Sequence, residues 1–281
     1  MSPRARLKAN RRALSPAIST VILTSAIVVL LLVTITFANN FLTSRMAENE
    51  FSAVEQFMQT VGLQLDDVAW TIGRTQTVRY ASKYGLVNFE SVALTYSLEV
   101  NGSAGWQPVL NSTTGIILFN MPVDKYTVGN NYFKRIFPSS TGSFLQQGPS
   151  APVSHVFVIE KLPMRDGNYT RIVVAPSLRM LNSTITGTEQ KNYFKLYLPC
   201  LIRGSQPRVS QSITVVGTNV TRVVRSGVNA VRVSVTFPNE ALGYDSQFFN
   251  FENTVETFNV PSNSIVELYV GEVKVSLGLH A

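Results

Sequence analysis

Cys200 is the only cysteine in the 281 residues, and His155 and His280 are the only histidines. No intramolecular disulfide, Cys-based zinc site or CxxC redox pair can form, so stability must come from packing. Two histidines also leave little for hydrolase triads or imidazole metal sites. GxSxG, HExxH, EF-hand, Walker A and GxGxxG patterns are absent in any suitable context. Adjacent carboxylates occur at Asp66 and Asp67, about 100° apart on a helix, where a solvated face explains them. No catalytic residue, metal or cofactor is expected. Cys200, after Tyr197, Leu198 and Pro199, reads as a buried small hydrophobe.

Charge is scarce too, at 15% of residues, and the net +7 is unevenly placed. Arg4, Arg6, Lys8, Arg11 and Arg12 hold five of the 24 basic residues and meet no acid there, leaving 19 basic against 17 acidic residues, about +2, for everything after. A body so nearly neutral lacks the field that a nucleic-acid backbone demands, and no nucleic-acid partner is expected.

What the chain does have is one long apolar run. No ionisable side chain occurs from Ala13 to Ser44, and Ala17 to Ala38 is almost continuously apolar, with Ile22, Leu30, Leu31, Leu32 and Phe37 among its residues. These 22 residues, at about 1.5 Å each, reach roughly 33 Å against a bilayer core of about 30 Å. The run predicts a transmembrane helix over 14–40. All five leader cations precede it, which places the N-terminus in the cytoplasm and the rest outside as a single-pass cell-membrane protein. Later apolar runs are short and interrupted.

The leader has a finer pattern: Arg11, Arg12 and Ala13 are followed by Leu14, Ser15, Pro16 and the apolar run. This resembles the class III signal peptide of archaeal type IV pilins and archaellins, over about residues 8–40. The resemblance implies a basic leader at 1–13, cut by a prepilin peptidase between Ala13 and Leu14 with the helix retained, and other pilin-like subunits as partners. Bacterial pilins carry glutamate at the fifth mature position; here it is Ile18, so nothing that depends on that glutamate transfers. Competing readings are a secretory signal cut after the apolar run, with Thr36 and Ala38 as the small residues, and an uncleaved anchor. Ser15 as N-cap and Pro16 at the first turn also predict a helix starting there.

Beyond the span the pattern becomes one-sided. Phe51, Val54, Met58, Val61, Leu65, Val68 and Ile72 recur at spacings of three and four, predicting an amphipathic stalk over 41–80. With no Pro or Gly between Pro16 and Gly62, a continuous helix from Pro16 to about Ile72 is expected, 57 residues or roughly 85 Å. Gly62 and Gly73 are its weak points. In the pilin reading Phe51, Val54 and Met58 face neighbouring subunits, while Val61, Leu65, Val68 and Ile72 pack on the head.

From 81 to 281 the period is two. Val92, Leu94, Tyr96, Leu98 and Val100 alternate with polar neighbours, as do Val231, Val233, Val235 and Phe237. The fold class is therefore α+β, a long N-terminal helix followed by an all-β, sandwich-like extracellular head. Hairpins are predicted at Asp166-Gly167 and Ser226-Gly227, Pro163 pushes its strand towards an edge, and a parity switch around Gly271 predicts a β-bulge. The stretch 139–152 reads as a loop between two β portions. Five Asn-x-Ser/Thr sequons, at Asn101, Asn111, Asn168, Asn182 and Asn219, are near the number chance would give and become glycosylation candidates through the expected topology. The expected function is a membrane-anchored, surface-exposed pilin-like subunit, minor or accessory, acting by self-association or adhesion. The rivals are an anchored or secreted lectin-like β domain and an extracellular carboxylate-dependent hydrolase.

Overall fold

The computed structural model describes residues 4–139, 142–186, 191–207 and 211–278, without the side chains of 4–17, 262 and 263. One helix, α1 (Arg4–Ala69), is followed by β1 (Thr75–Arg79), β2 (Leu86–Gly102), β3 (Gly105–Pro122), β4 (Tyr132–Phe137), β5 (Leu145–Gln147), β6 (Ser154–Glu160), β7 (Tyr169–Pro176), β8 (Leu178–Ile185), β9 (Lys191–Arg203) and β10 (Ser212–Thr236). A single helical turn, α2 (Ser246–Phe249), precedes the last strand, β11 (Val255–Leu277). The class is α+β. Two compact units form, Met1–Glu48 and Asn49–Ala281. The last turns of α1 therefore fold with the sheet, and the stalk expected over 41–80 is divided between the units. The helix starts within the leader, so Ser15 and Pro16 lie inside it and do not cap it. It passes Gly62 without a break and ends at Ala69, with Gly73 at φ +81° in the turn that follows.

All eleven strands belong to one sheet, ordered β4-β6-β7-β3-β2-β10-β11-β9-β8-β5, with β1 paired to Ser212–Val216 of β10 on the edge that β2 occupies at Ala230–Thr236. β7 runs into β8 across Ser177 alone. The two strands do not pair, and the sheet order stays open with β4 and β5 at its ends. Leu94, Tyr96, Leu98, Leu118, Phe157, Val173, Leu196, Leu198, Val231, Val233 and Leu268, from strands along this order, form the first core. Tyr96 ties two sides together by donating its hydroxyl to the Pro176 carbonyl at 2.8 Å. Within the segment 139–152 the described residues include β5 and the buried Phe144 and Leu145, which join this same core.

The second core lies on the opposite face. Ile117 and Phe119 of β3, Val156 and Val158 of β6, Ile172 and Val174 of β7, and Val273, Val275 and Leu277 of β11 point away from the first core towards Phe51, Val54, Met58, Val61, Leu65 and Val68 of α1. Strands β3, β6 and β7 are thereby buried on both faces, which explains their unbroken apolar runs. It also explains the parity switch at Gly271. Val266, Leu268 and Val270 serve the first core and Val273, Val275 and Leu277 the second, while β11 keeps an uninterrupted parallel register with β9 from Ile265 to Val275. No bulge in β11 is required; the irregularity falls opposite, in β10, between Gly217 and Asn219.

Other expectations are corrected similarly. Asp166-Gly167 does turn the β6–β7 hairpin, with Gly167 at φ +123°. Ser226-Gly227 does not turn a hairpin: β10 passes straight through it, and the register against β11 shifts between Arg225 and Val228. Both flanks keep the same partner strand, so a reversal there is ruled out. Pro163 lies beyond the end of β6, which runs between β4 and β7 and is not an edge. Val92 is exposed because β2 bulges between Glu90 and Leu94.

The end of α1 rests on two glycines. A Cβ at Gly271 would stand 2.3 Å from the Ala69 carbonyl oxygen, and one at Gly217 would stand 2.4 Å from that of Val68. Backbone oxygens cannot retreat as a flexible side chain can. Gly271→Ala should therefore cost about 1–3 kcal/mol through overpacking, read as a lowered denaturation midpoint; an unchanged midpoint would show that the helix end does not sit against β11.

Candidate membrane segment and helix–sheet seam

From Ile18 to Leu42 the large apolar side chains of α1 are exposed, Leu30 at 65% and Phe37 at 72%, with Ile22, Leu31 and Leu32 similar. An 18-residue window here has mean hydropathy 2.7 and none of it is buried. It is one helix long and apolar enough to cross a membrane. Three of its threonine hydroxyls are satisfied within the helix: Thr24 donates to Thr20 O at 2.9 Å, Thr34 to Leu30 O at 2.8 Å and Thr36 to Leu32 O at 2.9 Å. Such back-bonding lets threonine enter an apolar segment without an orphaned donor. The side chains of Arg11, Arg12, Ala13, Leu14, Ser15, Pro16 and Ala17 lie outside the described residues.

The seam runs along the other part of α1. Phe51, Val54, Met58, Val61, Leu65 and Val68 are all buried against the chain's own sheet. Phe51, Val54 and Met58 therefore do not face neighbouring subunits, because the sheet extends to the Asn49 end of its unit and covers them. Phe51 meets Tyr126 at 4.8 Å between ring centroids, and Phe57, which the heptad spacing omits, meets Tyr80 at 5.0 Å. Ile72 leaves the seam: it lies past the helix end and is 65% exposed.

Polar ties flank the seam. Glu50 accepts from the Ser82 hydroxyl at 2.5 Å and from the backbone N–H groups of Lys83, Tyr84 and Gly85 at 2.9–3.2 Å. Partial burial works to raise its pKa, but these four donors outweigh it and hold the carboxyl below its ordinary value. Lys134 of β4 reaches Glu55 at 2.6 Å. Asp66 accepts from Arg179 of β8 at 2.8 Å and from the Trp70 indole at 2.8 Å, so this carboxylate is a tether rather than part of a solvated face. Asp67 pairs with Arg74.

Of the remaining sequence candidates, Asn111, Asn168, Asn182 and Asn219 are exposed, and Asn101 is half-buried at the end of β2. His155 is buried in β6, its Nε2 3.3 Å from Gln146 Nε2; burial pushes its pKa down to about 3. Cys200 is buried 3.0 Å from the Ser112 hydroxyl, and burial raises its thiol to about 11. His280 lies outside the described residues.

Sequence reasoning missed a buried ionic cluster at the β6–β7 turn. Arg171, 1% exposed, donates to both oxygens of Asp166 at 2.8 and 2.6 Å, to Tyr244 Oη at 3.0 Å and to the Gly167 carbonyl at 3.2 Å. Tyr244 Oη donates to Asp166 at 2.8 Å. Burial works against ionised Asp166, yet the Arg171 and Tyr244 donors hold its carboxyl below the usual range. The sole sequence signal was an arginine inside the apolar run Tyr169–Ala175, which needs a nearby counter-charge when both faces of its strand are buried.

Two measurements follow. Val54→Glu and Leu65→Glu should both unfold the β unit, since either carboxylate enters the second core without a partner; loss of near-ultraviolet circular dichroism in one alone would show that the seam is divided. Glu50 is depressed in the folded chain, so its contribution is complete above about pH 4.5 and is lost as pH falls through its folded pKa. Its Gln variant should be less stable at neutral pH and show a flatter loss of stability below pH 4.5. Neither a protein-family model, nor a curated protein, nor a solved structure matches this chain.

Proposed function

We propose that this chain is a membrane-anchored, surface-exposed, pilin-like structural subunit, minor or accessory in kind. Its leader, Arg11-Arg12-Ala13 before Leu14-Ser15-Pro16, is cut by a prepilin peptidase between Ala13 and Leu14. The N-terminus faces the cytoplasm, and the head, whose sheet doubles over the first core in a sandwich-like manner, lies outside the cell. The observation that carries this reading is the exposed apolar stretch of α1 directly behind a leader whose only charges are positive. Self-association is assigned to that stretch, because the seam from Phe51 to Val68 is already occupied by the chain's own sheet. Among the described residues no group of three or more His, Cys, Asp or Glu converges, and the buried His155 and Cys200 are left to structural roles.

The test is the N-terminal sequence and intact mass of the protein extracted from membranes. The expected product begins at Leu14 and stays membrane-associated, and Arg12→Ala should abolish the cut. A soluble form starting near Asn39 would overturn the pilin reading in favour of ordinary secretion, and an intact Met1 would favour a plain anchor.

A further inference from the structure

The β unit contains a groove of about 530 Å³, within the range of small-ligand sites, floored by Leu118 and Asn120 of β3 and walled by the start of β2, the Asp166 turn and Tyr244. Four charged side chains line it, cationic Lys83 and Arg203 and anionic Glu90 and Asp166. The signs cancel, so no net field selects an ion. The remaining polar wall is made of neutral amides, with exposed Asn88 and Gln211 and half-buried Gln206.

The floor carries an unmet demand. Asn120 is 4% exposed, and its Oδ1 accepts no hydrogen bond. Its register partner on β7 is Arg171, whose Nε, also buried, donates to nothing. Directly opposed residues of an antiparallel pair project to the same face with Cβ atoms about 4.5–5.5 Å apart. One cross-strand pair thus holds an orphaned acceptor, on a residue that lines the groove, and an orphaned charged donor, on a residue that does not, an expensive arrangement for a folded chain to keep. A hydroxyl can satisfy both at once, accepting from Arg171 Nε–H and donating to Asn120 Oδ1. A carboxylate or sulfate cannot donate, and an ammonium cannot accept.

We propose that this groove binds a neutral, hydroxyl-rich ligand, a glycan unit of one or two sugars, with one hydroxyl inserted between Asn120 and Arg171 and the amides of Asn88, Gln206 and Gln211 holding the rest. The site goes beyond subunit assembly and is independent of it: it gives the exposed unit a recognition function whether or not the leader is cut.

The full chain, in a zwitterionic detergent without a sugar headgroup, is titrated with lactose, cellobiose, mannobiose and chitobiose, and separately with sulfate and acetate. Binding is followed by calorimetry and saturation-transfer NMR. At least one disaccharide should bind saturably and neither anion should. Asn120→Asp supplies a carboxylate that takes the Arg171 Nε–H itself; it should keep the chain folded, by near-ultraviolet circular dichroism, while weakening sugar binding about tenfold or more. Asn88→Ala, at an exposed wall position, should weaken it several-fold without affecting folding. The proposal is overturned if no disaccharide binds at 10-fold millimolar excess, which would leave a water as the bridging group. It is equally overturned if an anion binds in preference, or if sugar affinity is the same in both variants as in the parent chain. None of these outcomes bears on where the leader is cut.

Discussion

The close approach of residues 51–69 of α1 to the sheet is the constraint on which the rest of the β unit depends. Ridges of Val54, Met58, Val61 and Leu65 enter the sheet face; at two places the backbones come so near that only glycine fits, and at a third a helix glycine makes room for side chains of the sheet. Gly217 and Gly271 of the sheet admit the carbonyls of Val68 and Ala69. Gly62 of the helix lies against Val156 and Ser154, and the Ser154 hydroxyl donates to the Gly62 carbonyl at 2.8 Å. A glycine that would weaken an isolated helix by about 1 kcal/mol here permits the contact that holds the helix in place. Its propensity cost is offset by burial on both sides of the approach.

Docking the helix on one face forces a second consequence on the sheet. Strands β3, β6 and β7 are covered by α1 on one side and by the residues of the first core on the other. Any polar group on them must find a partner inside the protein. Glu160 of β6 meets Thr127, the Val128 amide and Thr170 at 2.7–3.0 Å, and Arg171 meets Asp166 and Tyr244. Asn120, with its unmet acceptor, is the exception on β3, and it lines a groove of about 530 Å³. The burial that stabilises the seam is thus also what makes an unpaired group on these strands informative.

Much of this was legible in the sequence where one period governed one face. The heptad stripe identified six of its seven seam residues, because a helix buried on one side shows its contact directly in the 3.6 spacing. It failed at Ile72, where nothing local marks that the helix stops at Ala69, and at Phe57, whose contact with Tyr80 belongs to the sheet and not to the heptad. The parity switch at Gly271 was real but was assigned to a bulge, because a single-sheet pattern assumes one buried face. With two cores on opposite faces, a strand can exchange its buried side without any irregularity of its own. Ser226-Gly227 has the composition of a tight turn, yet β11 pairs with β10 on both sides of it, and long-range pairing of that extent outweighs a local preference.

The same two-core logic bears on how such a chain can meet its own kind. A stripe of apolar residues on a helix next to a membrane invites an interface, but here the stripe is consumed from Phe51 to Val68. The continuous apolar stretch that α1 leaves uncovered lies between Ile18 and Leu42, where threonine hydroxyls close back on the helix and present no polar demand to a neighbour; beyond it only Met46 and Leu63 of the large apolar side chains on the described part of α1 are exposed. Contacts among such surfaces in lipid gain nothing from the hydrophobic effect, since the lipid tails are as apolar as the side chains, and they must rest on packing and on small residues that let backbones approach. Ser19, Ser25, Ala26 and Ala38 are the small side chains available in that stretch. Association through it would be modest for each pair and would accumulate along many copies, whereas recognition by the β unit would be carried by one groove in each copy. The two proposed activities would draw on different parts of the chain and on different physics, so either could change without disturbing the other.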